Sequence, residues 1–468
     1  MLKEGAARIA PEYRESAMPM YQELIADDVK PAQSIFQEYS ETDIGIARVP
    51  RSRYTDKAFF DLEVEHMWSK VWQMACREEQ IPEVGDCTLY EGPAGSLILV
   101  RTAEDEIRAH YNACLHRGMR LCSGDTSVAS FKCPYHGFTW NLDGTIQKIP
   151  SRWDFRHVQK AELTLPQAKV ERWNGFVFVN YDQDAAPLKQ YMGRMDGDFQ
   201  DWMRKDGYAA IHLRKVFKAN WKACMEAFVE GFHVPETHAQ GIAWAGDSSF
   251  QYDVWPDEPH VSRFLEPLGT PSDRMDPIPS EDQRLQDMYR MITGKDEDAP
   301  VPPGTRLRPY IAEVARNLMS EAEGADYSGL SDTEALDGMQ YSLFPNLVLF
   351  RNLLHPYAYR FTPVPGHHDW TMYDFIIFKK KPESGEIPET QYIDLEEDDL
   401  YADSGAFPEW LGEIYDQDCH ALGALQKGLN AGGREYVIFS QYQEVRCRHL
   451  HQTVNSYLEK GGVDTSAL

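Results

Sequence analysis

Two short cysteine–histidine pairs constrain this chain more than anything else in it. The first reads Asn112-Ala113-Cys114-Leu115-His116-Arg117-Gly118, and the second Cys133-Pro134-Tyr135-His136-Gly137. Each pair is tight enough to occupy one loop, and 16 residues separate His116 from Cys133. Two such loops can clamp one metal group from opposite sides. If two thiolates hold one iron and two neutral imidazoles the other, the cluster is less negative than an all-cysteine one and its potential is higher. A zinc ion accepts the same ligand types, so zinc is the competing reading. Common zinc spacings pair like with like, whereas each pair here mixes Cys and His.

A second constellation lies about 100 residues downstream. It runs Asn220-Trp221-Lys222, then Glu226, Glu230, His233 and His238. On an undisturbed helix, residues five apart point ~140° from each other. Pro235 lies between the two histidines and breaks that helix, so both imidazoles can converge. Two imidazoles and a carboxylate on one face of an iron leave positions open for O₂. A histidine pair beside a proline also fits an ordinary capped helix end. The carboxylate must come from elsewhere. Leu411, Ile414, Tyr415, Leu422, Leu425 and Leu429 form an apolar stripe at helical spacing, and Asp418 falls on it. A carboxylate on such a stripe needs a partner, either a metal or a structural one. Asp416 points away from the stripe and is the weaker substitute.

Taken together, these motifs resemble the catalytic alpha subunits of Rieske non-haem iron aromatic-ring-hydroxylating oxygenases. Cys114-x-His116-Arg-Gly and Cys133-Pro-Tyr-His136-Gly look like the family's Rieske motif, and the Asn220–His238 run looks like its catalytic-iron motif. Asp418-x₇-Gln426-x-Gly428-Leu429 is similar to the segment that delivers the third ligand. The resemblance covers about residues 47 to 430. It implies a [2Fe–2S] cluster on Cys114, His116, Cys133 and His136, and a mononuclear Fe(II) on His233, His238 and Asp418. It implies that Glu230 bridges the two metal centres, bonding His233 and meeting His136 of a neighbouring subunit. Three positions depart from the usual pattern. Phe138 stands where Trp is frequent, Glu230 where Asp is usual, and Ala227 where Asn is common. Met119 and Tyr135 replace the extra cysteines of respiratory Rieske proteins.

The fold class expected is α+β. A small all-β Rieske domain (47–165) precedes a helix-grip catalytic domain with an antiparallel sheet (166–468), and residues 1–46 form a helical segment packing on the latter. Strands are expected at Cys87–Tyr90, Ser96–Arg101, Ile107–Asn112, Tyr341–Phe350, His355–Val364 and Trp370–Lys379. A helical segment is expected from about Lys222 to His233, and a long amphipathic helix from Phe407 to Leu429. Residues 239–340 are rich in Pro, Gly and acids and harder to assign. Trp244, Phe250, Tyr252, Trp255 and Phe264 are candidate pocket residues, or ordinary core.

The net charge of −27 repels phosphate backbones and argues against nucleic-acid binding. No run approaches the ~20 apolar residues of a membrane span, and the start of the chain lacks the apolar stretch of a signal peptide. A cytoplasmic protein is therefore expected. Its eight cysteines do not space like a disulfide framework. No G-x-G-x-x-G fingerprint occurs, so a separate NAD(P)H-dependent reductase, with or without a ferredoxin, is expected to supply electrons. The resemblance implies a homotrimer, with or without a small beta subunit, that oxygenates an apolar or aromatic substrate with O₂. Dihydroxylation, monooxygenation and O- or N-demethylation all stay open. The rival classes are an electron-transfer protein holding the cluster alone and a zinc-dependent binding module.

Overall fold

A computed structural model describes residues 16–40, 43–382 and 384–465. Alternation along single strands organises the N-terminal half. In the strand Gly95–Ala103, Ile98 and Val100 join one buried cluster while Leu97 and Leu99 join another. Successive side chains of a strand point to opposite faces, so both faces of this sheet are covered. It has seven strands in the order Gln73–Arg77, Phe176–Asn180, Gln167–Trp173, Glu106–Tyr111, Gly95–Ala103, Asp86–Gly92 and Thr126–Ser127. Each neighbouring pair is antiparallel. A three-stranded sheet, Phe131–Lys132, Thr139–Trp140 and Ile146–Lys148, stands beside it. The sequence alone assigns residues from 166 onward to the catalytic domain. The structure instead pairs Gln167–Trp173 and Phe176–Asn180 into this first sheet.

The second half is built on eight strands. Their order is Gln251–Val254, Val261–Glu266, Gly338–Leu343, Leu347–Phe350, Tyr357–Pro363, Thr371–Lys379, Tyr208–Phe217 and Gln391–Leu395. All pairings are antiparallel except the last, where Gln391–Leu395 runs parallel to Tyr208–Phe217. The helices Trp221–Ala227, Glu409–Ala431 and Val445–Lys460 share one core with this sheet through Cys224, Tyr415, Leu422, Leu450 and Val454. The fold is thus α+β, as expected. The single strand expected over Tyr341–Phe350 is two strands, Gly338–Leu343 and Leu347–Phe350. Pro345 sits in the turn between them and has no N–H for a ladder. The segment 239–340 supplies the edge strand Gln251–Val254 and its neighbour Val261–Glu266. It also forms helices Glu281–Thr293 and Leu307–Glu323, which enclose a second core around Met288, Ile311 and Leu336.

The segment carrying the two histidines also differs from expectation. The helix Trp221–Ala227 starts on Asn220, whose side chain accepts from the N–H of Lys222 at 3.0 Å. It stops at Ala227, well short of His233. Gly231 then passes so close to Phe250 that an added Cβ would lie 2.2 Å from its ring. Pro235 does not break a helix: it sits in the first turn of a new one, Val234–Thr237. The missing N–H costs nothing there.

Candidate metal centres

His233 and His238 flank the short helix Val234–Thr237, one at each end. Their rings lie 5.2 Å apart between centroids. Asp418, on the buried face of Glu409–Ala431, reaches both: its Oδ1 is 3.6 Å from His233 Nε2 and 3.0 Å from His238 Nε2. The three ligand atoms all fall within 4.8 Å of one another. The remaining ring nitrogens are held from behind. His233 Nδ1 bonds Glu230 Oε1 at 2.6 Å, and His238 Nδ1 bonds Gln417 Oε1 at 2.8 Å. An acceptor on each Nδ1 fixes the proton there and turns both Nε2 lone pairs toward Asp418. Glu230 also accepts the backbone N–H groups of Phe232 and His233, so it shapes the turn as well as the ring. Burial works to lower the His233 pKa, but the Glu230 carboxylate and then Asp418 outweigh it and raise it to about 9. That concentration of negative charge suits a cation. Asp416 is occupied elsewhere, accepting the N–H groups of Tyr401 and Ala402 at 2.8 and 3.1 Å.

The two cysteine–histidine loops repeat one backbone pattern. The Cys114 N–H donates to Met119 O, and the Gly118 N–H to Cys114 O, both at 2.8 Å. In the second loop, the Cys133 N–H donates to Phe138 O at 2.8 Å and the Gly137 N–H to Cys133 O at 3.0 Å. Gly118 and Gly137 take positive φ of 81° and 78°, which favours glycine at both turns. Backbone N–H groups of Tyr135 and His136 face the Cys133 sulfur. Burial pushes that thiol up, but these donors and Cys114 outweigh it, so its pKa falls below the usual value. The thiol of Cys114 is raised, by burial first. Both cysteines are buried, whereas His136 is exposed. The rings of His116 and His136 lie 4.7 Å apart, and His116 stacks on Phe138 at 4.7 Å. His116 Nδ1 is buried without a protein partner. Among the described residues, His233, His238 and Asp418 form the single set tight enough for one ion. The loop residues lie as two like pairs, Cys114 with Cys133 and His116 with His136, an arrangement that suits a two-iron group with one pair on each iron.

Comparison with known proteins decides between these possibilities. The family model for the ring-hydroxylating alpha subunit (catalytic domain) matches residues 199–460, and that for the Rieske [2Fe–2S] domain matches 71–160. The chain belongs to the ring-hydroxylating alpha-subunit family. Membership brings two resident groups, a Rieske [2Fe–2S] cluster and a mononuclear iron, and the donor sets just described fit both. Among this family's curated members, the biphenyl 2,3-dioxygenase alpha subunit of Rhodococcus jostii (strain RHA1) is 36% identical over 199 residues, 40% of this chain and 43% of the relative. The chloroplastic choline monooxygenase of Beta vulgaris is 26% identical over 235 residues, 48% of this chain and 51% of the relative. The matched stretch thus spans about half of each. A crystal structure of the quaternary ammonium Rieske monooxygenase CntA with L-carnitine covers 89% of this chain and 96% of its own, with TM-score 0.62 at 16% identity. Naphthalene 1,2-dioxygenase with indole bound aligns over 89% and 94%, with TM-score 0.60 at 18% identity. At such identities the likeness is one of fold.

Two cavities meet at the histidine–aspartate set of this family member. One, of about 420 Å³, is walled by Trp244, Phe250, Phe264, Phe350, Tyr357 and Tyr359. The other, of about 650 Å³, is bordered by Glu226, Leu425, Tyr436 and Ile438. Glu230, His233 and Asp418 line both, so Glu230 stands in the wall between them. Of the five aromatic residues expected at a pocket, Trp244, Phe250 and Phe264 line the first cavity. Tyr252 instead packs in the second core, and Trp255 lies under Arg194, whose guanidinium is 3.9 Å from its ring centroid. Leu425, expected on the buried stripe, is 48% exposed and faces the larger cavity. Sequence reasoning does not find Gln417 and Glu266, which also sit at the site; the adjacency of Gln417 to Asp418 is the only signal it offers. No described helix is long and apolar enough to cross a membrane.

Proposed function

We propose that this chain is the terminal oxygenase of a multicomponent system. In this reading, Cys114 and Cys133 hold one iron of the cluster, His116 and His136 the other, and His233, His238 and Asp418 hold the lone iron. When bound, the iron supplies open positions for O₂ and the cluster supplies single electrons. The chain's own residues do the rest. Glu230 accepts a hydrogen bond from the His233 Nδ1–H, which leaves Nε2 as the ring atom that faces the metal. Gln417 does the same for His238. The aromatic walls of the smaller cavity hold an apolar substrate body beside the triad and exclude water. The observation that carries the reading is the convergence of both imidazoles on Asp418, each backed by its own acceptor.

The cluster-bearing part runs from about residue 47 through the first sheet to Asn180 and the oxygenating part follows it, with electrons supplied by a separate NAD(P)H-dependent reductase, with or without a ferredoxin. The chain is a cytoplasmic homotrimer, with or without a small beta subunit. Two features support electron entry from a neighbouring chain: His136 faces outward, and Glu230 lines the larger cavity, bordered by exposed Leu425 and Ile438. The relatives' names span dioxygenation of an aromatic compound and monooxygenation of choline or a quaternary ammonium compound, and both reactions fit this site. Iron and acid-labile sulfide are expected at three irons and two sulfides per chain. His233→Ala should keep the cluster's visible spectrum, lose the third iron and abolish turnover. Two irons in the wild type would leave an electron-transfer protein, and zinc without sulfide a binding module.

A further inference from the structure

The smaller cavity holds one acid that the proposed iron site does not use. Glu266 ends the strand Val261–Glu266 and lines this cavity beside the triad. Its register partner is Gly338, where an added Cβ would come within 3.1 Å of Glu266 Oε2. Among the described residues, no hydrogen bond or ion pair holds the carboxylate. The influences on it are burial and then Asp337, which raise its pKa to about 7, with His238 and His233 opposing from a distance. His355 lies on the far side of the same gap, 3.8 Å from that added Cβ. Its ring stacks on Phe350 at 5.5 Å, and its buried Nδ1 also lacks a partner.

The rest of the lining narrows what could satisfy Glu266. The other two acids are engaged, Glu230 with His233 and Asp418 with both imidazoles. The described lining contains neither lysine nor arginine. An anionic ligand would find no counter-charge there beyond the metal itself. A plain hydrocarbon would fill the aromatic walls and seal an unpaired carboxylate under them, which is costly. A positive charge is favoured by the carboxylate, and the aromatic lining of Phe250, Phe264 and Tyr357 accommodates an apolar body around it.

We infer that Glu266 is a specificity-determining residue and that the substrate carries a cationic nitrogen on an apolar body, with the charge seated against Glu266. The inference rests on the oxygenase reading only in taking this cavity as the substrate pocket. Benzyltrimethylammonium and neopentylbenzene test it, since they share a shape and differ by one positive nitrogen. Binding to the holoenzyme is measured by titration calorimetry. The ammonium compound should bind at least tenfold more tightly. Glu266→Gln should erase that preference, and Glu266→Asp should keep part of it. Equal or tighter binding of the hydrocarbon, no binding of the ammonium compound, or a preference that survives in Glu266→Gln overturns the inference. Thermal melting and the visible spectrum verify that each variant is folded and loaded. Failure of the oxygenase reading would show separately, as missing iron or sulfide in the same samples.

Discussion

At the residue scale, Glu230 has the most contacts with chemical consequences. It bonds His233 Nδ1 at 2.6 Å, caps the following turn, and separates two cavities. Glu230→Gln keeps the shape and removes the charge. Such partners of metal ligands typically contribute 10- to 100-fold in affinity or activity. The variant is expected to lose turnover by about that factor or more while keeping the cluster spectrum. Turnover at the wild-type level would remove Glu230 from the electron path. Individual residues are unevenly legible in the sequence. Cys114, His116, Cys133 and His136 stand in a pattern that packing alone does not explain, and Asp418 betrays itself as an acid on an apolar stripe. Glu266 gives no such signal. It ends an ordinary strand, and only the distant segments around Phe250, Phe350 and Asp418 make its surroundings a cavity.

At the element scale, the two histidines owe their convergence to a pair of short helices rather than to one broken helix. The sequence shows that a break is needed, and Pro235 is its most visible marker. The position of the break depends instead on Gly231 meeting Phe250, a contact between residues 19 apart that helical periodicity does not reveal. Gly231→Ala is therefore expected to destabilise the fold by about 1–3 kcal/mol, the usual cost of overpacking a filled site. It should also lower iron occupancy at the histidine–aspartate set. Denaturant unfolding and metal analysis check both. A variant with wild-type stability and three irons would show that Phe250 yields. The hairpin at Pro345 escapes sequence reading for the opposite reason. Apolar residues flank Pro345-Asn346 closely on both sides, so the two strands read as one long strand around a two-residue interruption.

At the scale of the whole molecule, buried histidines make the fold acid-sensitive. Burial, and then Arg446, lowers the His449 pKa to about 4. Burial, and then Lys460, lowers that of His260 to about 3. Unfolded histidines titrate near 6.5, so below that pH the unfolded chain takes up protons that the folded one refuses. The stability these neutral rings contribute is complete above pH ~6.5 and is lost as the solution is acidified toward pH ~4. Each histidine adds up to about 1.4 kcal/mol per pH unit to that slope. Unfolding free energies measured between pH 7 and 5 carry this contribution together with opposing ones from Glu226 and His233, whose pKa values are raised to about 8 and about 9. His449→Gln should change the slope by about one proton in the direction of greater stability at low pH. An unchanged slope would show that His449 is protonated in the folded state.

The assembly of the two metal-binding regions is also separated in time. The cluster loops lie within residues 112–138, whereas His238 and Asp418 are 180 residues apart. Domains generally fold as they emerge from the ribosome, N-terminal part first. Sulfide and iron can therefore be inserted into a nascent polypeptide, while the lone ion has no complete binding site until the helix carrying Asp418 has been made. In cells short of iron, scarcity should first appear as protein that is coloured but catalytically silent.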